Sequence, residues 1–561
     1  MDNPDTFQAG PALPVCGSLR DIITEACKKH ADLTAFSCEG AKLSFSKLDR
    51  LSDQFAAWMF RESTLEPGDR VAIQLPNLLQ YPVVALGVIK AGMVLVNINP
   101  MYTAGETEHQ LRDSGAKALV VLEDILPVIS RVLPGTTIDR VIVTGAADLH
   151  PWPARCVYNY KQIAKRRDLN AIRFASRIEF NAVMERGKHF LRVHSLPELN
   201  TPDLRDEKIP VLGLIQYTGG TTGIAKGAML SHDNLIANLM QIDHVIEGHN
   251  PEPGEVFAAP LPFYHIYAFT LNFLYSLYRG FHGVLIPDPR NTDKVVRAIS
   301  RHSLSGFVGV STLYQTLCKH PKFQQLNFSK LTICTSGGMA LSVSTARRWE
   351  ELTGCRILEG YGLTETSPLA ASSTMNDYNE EKIGKATLWT ELKVLNDDGQ
   401  QVPAGEEGEV LIRGPQVMMG YWKRPEETRD VLEEDGWLHT GDIGTLDEDG
   451  NLTIVDRIKD LVLISGFNVY PAEIEDHILK HPDIRDAAAI GVPRDGDLDG
   501  EQVKLFVISD NPELGEEEVL QFCRQGLTRY KVPSKVEFRA SLPRSNVGKV
   551  LRRQLRDEQV V

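Results

Sequence analysis

The stretch "DRVAIQLPNLLQYPVVALGVIKAGMVLVNI", Asp69 to Ile98, decides the fold class. "DRVAIQLP" reads as a strand, "LQYPVVALGVIKAG" as a helix and "MVLVNI" as a second strand. The apolar runs are continuous rather than alternating, which suits strands buried on both faces of a parallel, helix-covered sheet. A membrane span is the poorer reading. Lys90, Gly92 and two asparagines interrupt the most apolar segment, residues 81–100, so a helix running into a buried strand explains it better.

Working outward, the rhythm repeats. "AKALVVLE", "DRVIVTG", "VLGLIQYT", "EVFAAPLPF", "HGVLIPD", "GFVGVS", "LTICTSGG" and "CRILEGYG" are further strand candidates set among helical stretches, which gives an α/β class. A chain of 561 residues is too long for one core, so two or more domains are expected. The turn-rich "NDDGQQVPAGEEGE" opens a different style of chain, in which "GEVLIRG" alternates like a half-exposed antiparallel strand. "GTLDEDGNLTIVDR" looks like a hairpin turning at Glu448-Asp449-Gly450. After "DRIKD" the pattern becomes a compact α+β unit ending in a basic "LRRQLRDE" tail, so a boundary is placed at 456–460, dividing residues 1–456 from 457–561.

Composition narrows the function classes. A net charge of −14 argues against nucleic acid as a partner. Eight cysteines form no C-x-x-C pair and read as buried or free thiols of a reducing compartment. "MDNPDTFQAGPALPV" lacks a basic region followed by an apolar core, so a cytoplasmic protein is expected. Residues 155–192 hold ten Lys or Arg and three acidic residues among Phe174, Ile178, Phe180 and Phe190. Solvated faces are the default for such a run, and peripheral contact with an anionic membrane, on the inner face of the cytoplasmic membrane, is the alternative. Oligomeric state, a homodimer included, is left open.

The chemistry concentrates in "YTGGTTGIAKGAMLSHDN", 217–234. Three glycines allow close backbone approach to an anion, Thr218, Thr221 and Thr222 add hydroxyls, and Lys226 adds charge. A Walker loop would place Gly before the lysine and Ser or Thr after it; here Ala225 and Gly227 stand there. The chain resumes as "GAML", better read as a strand than a helix, with Ser231 capping the helix that follows. The bland alternative is a glycine-rich surface turn.

This loop resembles the phosphate-binding loop of the adenylate-forming superfamily, which includes acyl-CoA synthetases, firefly-type luciferases and peptide-synthetase adenylation domains. "EGYGLTETSP" (359–368), "GWLHTGDIG" (436–444), "VDRIKDLVLISGFNVYPAEIE" (455–475) and "LPRSNVGKV" (542–550) follow in the family's order and extend the resemblance over nearly the whole chain. The wording looks most like fatty-acyl-CoA synthetases, above all the bacterial long-chain fatty-acid–CoA ligases. The resemblance implies a barrel-like β subdomain in the large domain and a mobile C-terminal lid. It also implies formation of acyl-AMP from a carboxylate and ATP with release of pyrophosphate, then transfer of the acyl group to coenzyme A.

Roles follow from the same resemblance. Thr218, Gly219, Gly220, Thr221, Thr222, Gly223 and Lys226 would hold the leaving phosphates. Lys549 would touch the α phosphate and the attacking carboxylate. Thr364 would reach the α phosphate, and Glu365, with Thr218, would serve a phosphate-bound Mg²⁺. Tyr361 and Gly362 on one side and Gly337 and Gly338 on the other would enclose adenine, while Asp442 and Arg457 would hold the ribose. His265 falls beside the expected acyl carboxylate, in a positioning or gating role. Lys459 would be the hinge on which the lid turns between two poses, and Gly466 would line the pantetheine channel in the second. Luciferase-like members carry a lysine at the position of Leu463, which favours acyl-CoA formation here. Taken singly, most of these residues would read as core, turn or surface groups. The residues at 263–280 and 307–317 could line an acyl tunnel, although core is the better reading for most of them. Two other readings compete: a ligase for medium-chain or aryl acids, and a nucleotide-binding regulator without activity.

Overall fold

The strand Arg70–Gln74, the fully buried helix Gln80–Lys90 and the strand Val94–Asn97 form as read, with Val71 opposite Leu95 in parallel register. A helix apolar all round has no solvent face and must be covered on every side. Its one cation, Lys90, is buried between Asp49 (2.5 Å) and Asp53 (2.6 Å). The computed structural model describes residues 18–62, 64–161, 169, 172, 174, 176–196, 211–218, 225–247, 249, 251–380, 382–464, 467–494, 497–545 and 548–559.

This unit is the middle of a seven-stranded sheet. Arg177–Glu179, Arg140–Thr144 and Ala118–Leu122 extend it on one side, and Leu212–Tyr217 on the other, all parallel. Gly227–Ser231 closes that edge antiparallel to Leu212–Tyr217, so the loop before Lys226 lies between two strands, as read. Ser231 caps the helix His232–Val245 through Asn234 N, 3.0 Å from its hydroxyl.

A nine-stranded sheet packs beside the first, with Val256–Ala259, His282–Leu285, Gly306–Gly309, Ile333–Gly337 and Ile357–Gly362 parallel at its centre. Its far edge comes from the start of the chain: Thr34–Cys38 pairs with His282–Leu285, and Ala41–Ser44 folds back on it. Most of the proposed tunnel wall is core. Phe263 and Phe273 are buried against Phe36 and Tyr81, Phe269 packs on Phe273, and residues Phe269–Tyr275 wind as a π-helix.

The expected barrel-like unit is an antiparallel sheet ordered Glu391–Leu395, Gly408–Arg413, Leu438–Leu446, Leu452–Arg457, whose outer strands do not pair with each other among the described residues. Beyond Ile458–Asp460 come the small hairpin Val462–Ile464/Phe467–Val469 and a three-stranded sheet led by Ile484–Arg494. "LRRQLRDE" is not a loose tail. Arg552–Asp557 is a helix that buries Leu555 and sends Arg552 and Arg556 to the buried Asp460, at 3.2 and 2.7 Å. Of the eight cysteines, Cys27, Cys38, Cys318, Cys334, Cys355 and Cys523 are buried free thiols and Cys156 is exposed; Cys16 lies outside the described residues. Among the described residues no helix is long and apolar enough to cross a membrane.

Candidate active site

The site lies where strands of the two large sheets end at their carboxyl edges, the usual ligand position in open α/β sheets. Buried amides join the sheets there. Gln216, one residue from the end of its strand, donates to the Tyr264 carbonyl (2.9 Å) and accepts from Asn97 (3.1 Å), which accepts from Tyr81 OH (2.6 Å). Asn77 donates to the carbonyls of Ala259 (3.0 Å) and Leu261 (2.7 Å) and accepts from Phe263 N (2.8 Å). The segment 259–265 is thereby fixed against the strand that leads to Thr218.

Thr218 and Lys226 close the base of the loop, Thr218 N donating to the Lys226 carbonyl at 2.9 Å. Gly219, Gly220, Thr221, Thr222 and Gly223 lie outside the described residues. The segment through Tyr421 adds to the sheet edge beside Gly227–Ser231, with Ala228 opposite Tyr421. Lys226 consequently sits over the Tyr421 ring (5.0 Å to its centre) and 3.4 Å from Glu427. Tyr421 OH donates to Glu365 Oε1 at 2.7 Å, joining the lysine to the carboxylate. Sequence reading missed Tyr421. Its "GYW" wording is an aromatic-rich turn like many others, and only strand pairing brings it to Lys226.

Thr364 and Glu365 occupy one 3-10 turn, Thr364–Thr366, directly after the strand bearing Tyr361 and Gly362. Among the described residues Glu365 Oε2 and the hydroxyls of Thr218 and Thr364 take no hydrogen bond. Gly362 is fixed by packing: a Cβ there would stand 1.7 Å from the Pro368 carbonyl, so no larger residue fits this backbone path. Gly337 ends its strand and Gly338 follows at φ +79°. Glu359, also unread from sequence, accepts from Leu341 N (2.9 Å), and burial pushes its carboxyl up to about 7.

The hairpin read at 444–457 pairs its strands so that Asp442 stands directly opposite Arg457. Asp442 is buried and accepts from Tyr361 OH at 2.7 Å. Arg457 Nε lies 2.8 Å from the other oxygen but off the line of a hydrogen bond, leaving that buried oxygen without an aligned donor. A buried acceptor in this state is suited to a ligand hydroxyl. The C-terminal unit closes over this edge. Tyr470 OH donates to Glu407 (2.8 Å), Ala472 N to Asp456 (2.9 Å), and Gly548 reaches Thr312. Lys549 is thereby brought into the surroundings of Asp442 and Arg457. Burial and then the charge of Arg457 pull its amine down to about 8, with Asp442 opposing.

His265 stands at the start of the turn Ile266–Ala268, its Nδ1 accepting from Tyr267 N at 3.3 Å. Burial pulls it down to about 4, so the ring is neutral at pH 7 with its proton on Nε2. Lys459 is exposed in the 3-10 turn Ile458–Asp460, and Gly466 lies outside the described residues. The structure thus draws Thr218, Lys226, Glu365, Tyr361, Asp442, Arg457 and Lys549 toward one edge, while Gly362 has a packing reason of its own.

Two sheets meeting at their carboxyl ends, with a buried carboxylate oxygen left unpaired and a lysine brought beside it by the C-terminal unit, form a site suited to a polar ligand. The chain belongs to the AMP-binding enzyme family: the AMP-binding enzyme description matches residues 23–422, and that of the AMP-binding enzyme C-terminal domain matches residues 473–549. It is 43% identical over 558 residues to a long-chain-fatty-acid–CoA ligase of Escherichia coli O6:H1, covering 99% of this chain and 95% of that one. A ligase of the same name from Bacillus subtilis is 36% identical, covering 97% and 94%. Among solved structures, the anthranilate CoA ligase AuaEII in complex with anthranoyl-AMP superposes with a TM-score of 0.82 at 25% identity, covering 97% of this chain and 98% of that one.

Proposed function

We propose that this chain is a long-chain fatty-acid–CoA ligase. It joins a fatty acid to the α phosphate of ATP, releases pyrophosphate, and passes the acyl group to coenzyme A with release of AMP. The observation that carries the reading is Lys549, held by the C-terminal unit in the surroundings of the Asp442–Arg457 pair.

Adenylation brings two anions together, so positioning and charge stabilisation do most of the work. Asp442 accepts the ribose hydroxyls on its unpaired oxygen, with Arg457 donating beside it. Tyr361 fixes the Asp442 carboxylate and offers its ring to adenine, against Gly337 and Gly338. Lys226 and the threonines of the 218–223 loop restrain the departing phosphates. Thr364 turns its hydroxyl to the α phosphate, and the Lys549 ammonium meets the charge that grows between that phosphate and the attacking carboxylate. Neutral His265 donates only from Nε2 and orients the carboxylate; it takes no proton from an acid already ionised at neutral pH. The unengaged Glu365 oxygen and the Thr218 hydroxyl fit a Mg²⁺ carried by the phosphates, which needs few protein ligands. Such an ion, when bound, neutralises the phosphate charge.

Residues 1–456 are read as the ATP- and acyl-binding domain and 457–561 as a lid turning at Lys459. The closed arrangement serves adenylation. Withdrawal of Lys549 then opens the site to coenzyme A, whose pantetheine passes Gly466. Hydroxylamine trapping of the adenylate over a ladder of acids tests the function. Activity rising toward about twelve to eighteen carbons is expected, each buried CH₂ adding about 0.8 kcal/mol. A preference for short or aryl acids overturns the long-chain assignment, and absence of AMP with every acid overturns the enzyme.

The basic stretch at 155–192 is proposed to touch anionic membrane. The helix Trp152–Lys161 leaves Trp152 77%, Val157 56% and Tyr160 76% exposed, which suits a lipid interface, whereas Arg177 is turned inward to the Leu169 and Ile172 carbonyls and Phe180 is core. Lys165, Arg166, Arg167 and Arg173 lie outside the described residues. Co-sedimentation with phosphatidylserine vesicles, lost on Trp152→Ser/Tyr160→Ser, is expected; unchanged binding removes the proposal.

A further inference from the structure

Lys549 ends a tight turn on the closing unit. Ser545 N donates to the Lys549 carbonyl (2.7 Å), Gly548 N to the Ser545 carbonyl (2.9 Å) and Lys549 N to the Ser545 hydroxyl (3.1 Å), while Arg544 and Val550 face each other as a β-bridge. One side chain fastens the turn to the body of the unit. Arg544 Nη2 reaches both oxygens of Asp486, at 2.6 and 2.5 Å, and Nη1 donates to the Gly548 carbonyl. Asp486 belongs to the strand Ile484–Arg494, which pairs with Asp497–Ser509, Asp486 standing opposite Ile508. One terminal nitrogen of a guanidinium can hold a carboxylate while the other, set at a fixed angle to it, holds a carbonyl; a single ammonium spans the two less well.

A fastening is needed because the surroundings of Lys549 oppose it. Arg457 and Arg552 repel its ammonium, Asp442 and Asp460 attract it, and burial disfavours charge altogether. An amine so placed withdraws toward water unless its backbone is held.

We propose that Arg544, anchored on Asp486, is a positioning residue that holds the turn carrying Lys549 so that its amine is delivered to the reacting phosphate when the unit closes. The inference rests on the adenylating role of Lys549 proposed above.

The test separates the half-reactions. Pyrophosphate release from fatty acid and ATP reports adenylation, and acyl-CoA formation from synthetic acyl-adenylate reports transfer. Arg544→Ala is expected to lower kcat for adenylation roughly 10–100-fold, the cost of a misplacement of about 1 Å, with KM for ATP moving less than about twofold. Transfer is spared, which also shows that the variant is folded. The alkaline limb of the adenylation pH profile moves upward as the amine gains water. Arg544→Lys recovers part of the loss, Asp486→Ala reproduces it, and the double variant is no worse than either single one because the two act as a unit. Equal losses in both half-reactions, an unmoved pH limb or additive losses overturn the proposal and leave Arg544 a structural residue. Lys549→Ala is the reference. If it spares adenylation, the role of Lys549 falls and this inference with it; if it cripples adenylation while Arg544→Ala does not, the inference alone falls.

Discussion

The role proposed for Lys549 needs it as a cation, and the fold makes that state costly. Burial and Arg457 bring its amine from 10.5 to about 8. The group is charged below that value and neutral above it, so adenylation is expected to decline as pH rises through about 8 in kcat/KM for ATP, which reports the free enzyme. Bound phosphates favour the ammonium, so the same limb in kcat lies at higher pH. Parallel limbs in both profiles count against the assignment. Lys549→Ala is expected to lower adenylation by about 10²–10³-fold or more and spare transfer from supplied acyl-adenylate. His265 shows the opposite balance. Burial takes it down to about 4, so it stays neutral across this range and contributes no limb near pH 7.

The strands that carry the site were legible in sequence because burial on both faces writes a continuous apolar run, as in "VLGLIQY" and "LTICTSGG". The turn at Glu448–Gly450 was legible for a local reason: Asp447 Oδ1 accepts from the amides of Asp449 and Asn451, and Gly450 adopts φ +81°. What sequence could not supply is long-range pairing. Thr34–Cys38 finds its partner near residue 283, Tyr421 finds Lys226 only through the sheet edge, and the arginines of "LRRQLRDE" find Asp460 only once the helix docks. Nor does an apolar run announce that its polar residues join two sheets. Asn77 is the test of that junction. Asn77→Ala removes three buried hydrogen bonds, and leaving a buried group unpaired costs about 1–3 kcal/mol each. Urea unfolding should show a lowered midpoint at unchanged slope, with adenylation weakened because segment 259–265 carries His265; an unshifted midpoint contradicts the junction.

At the scale of the molecule, the proposed scheme needs the C-terminal unit to reach the strand edge, and Gly548 is a point of close approach. Its φ of +84° is costly for any other residue, by roughly 1–2 kcal/mol, and a Cβ there would stand 2.8 Å from the Thr312 hydroxyl. Gly548→Ala therefore meets two obstacles, one in the turn's own backbone and one across the cleft. Only the second depends on closure. Adenylation is expected to fall at least about tenfold, the equivalent of 1.4 kcal/mol lost from the closed state, while transfer from supplied acyl-adenylate is retained if, as proposed, the unit is withdrawn for that step. Adding Thr312→Ala removes the oxygen but not the backbone strain, so the double variant should recover part of the loss and not all of it. Full recovery means the left-handed backbone costs nothing in place. No recovery means that Gly548 does not meet Thr312 during adenylation, and that the closed arrangement is not the one in which the acyl-adenylate forms.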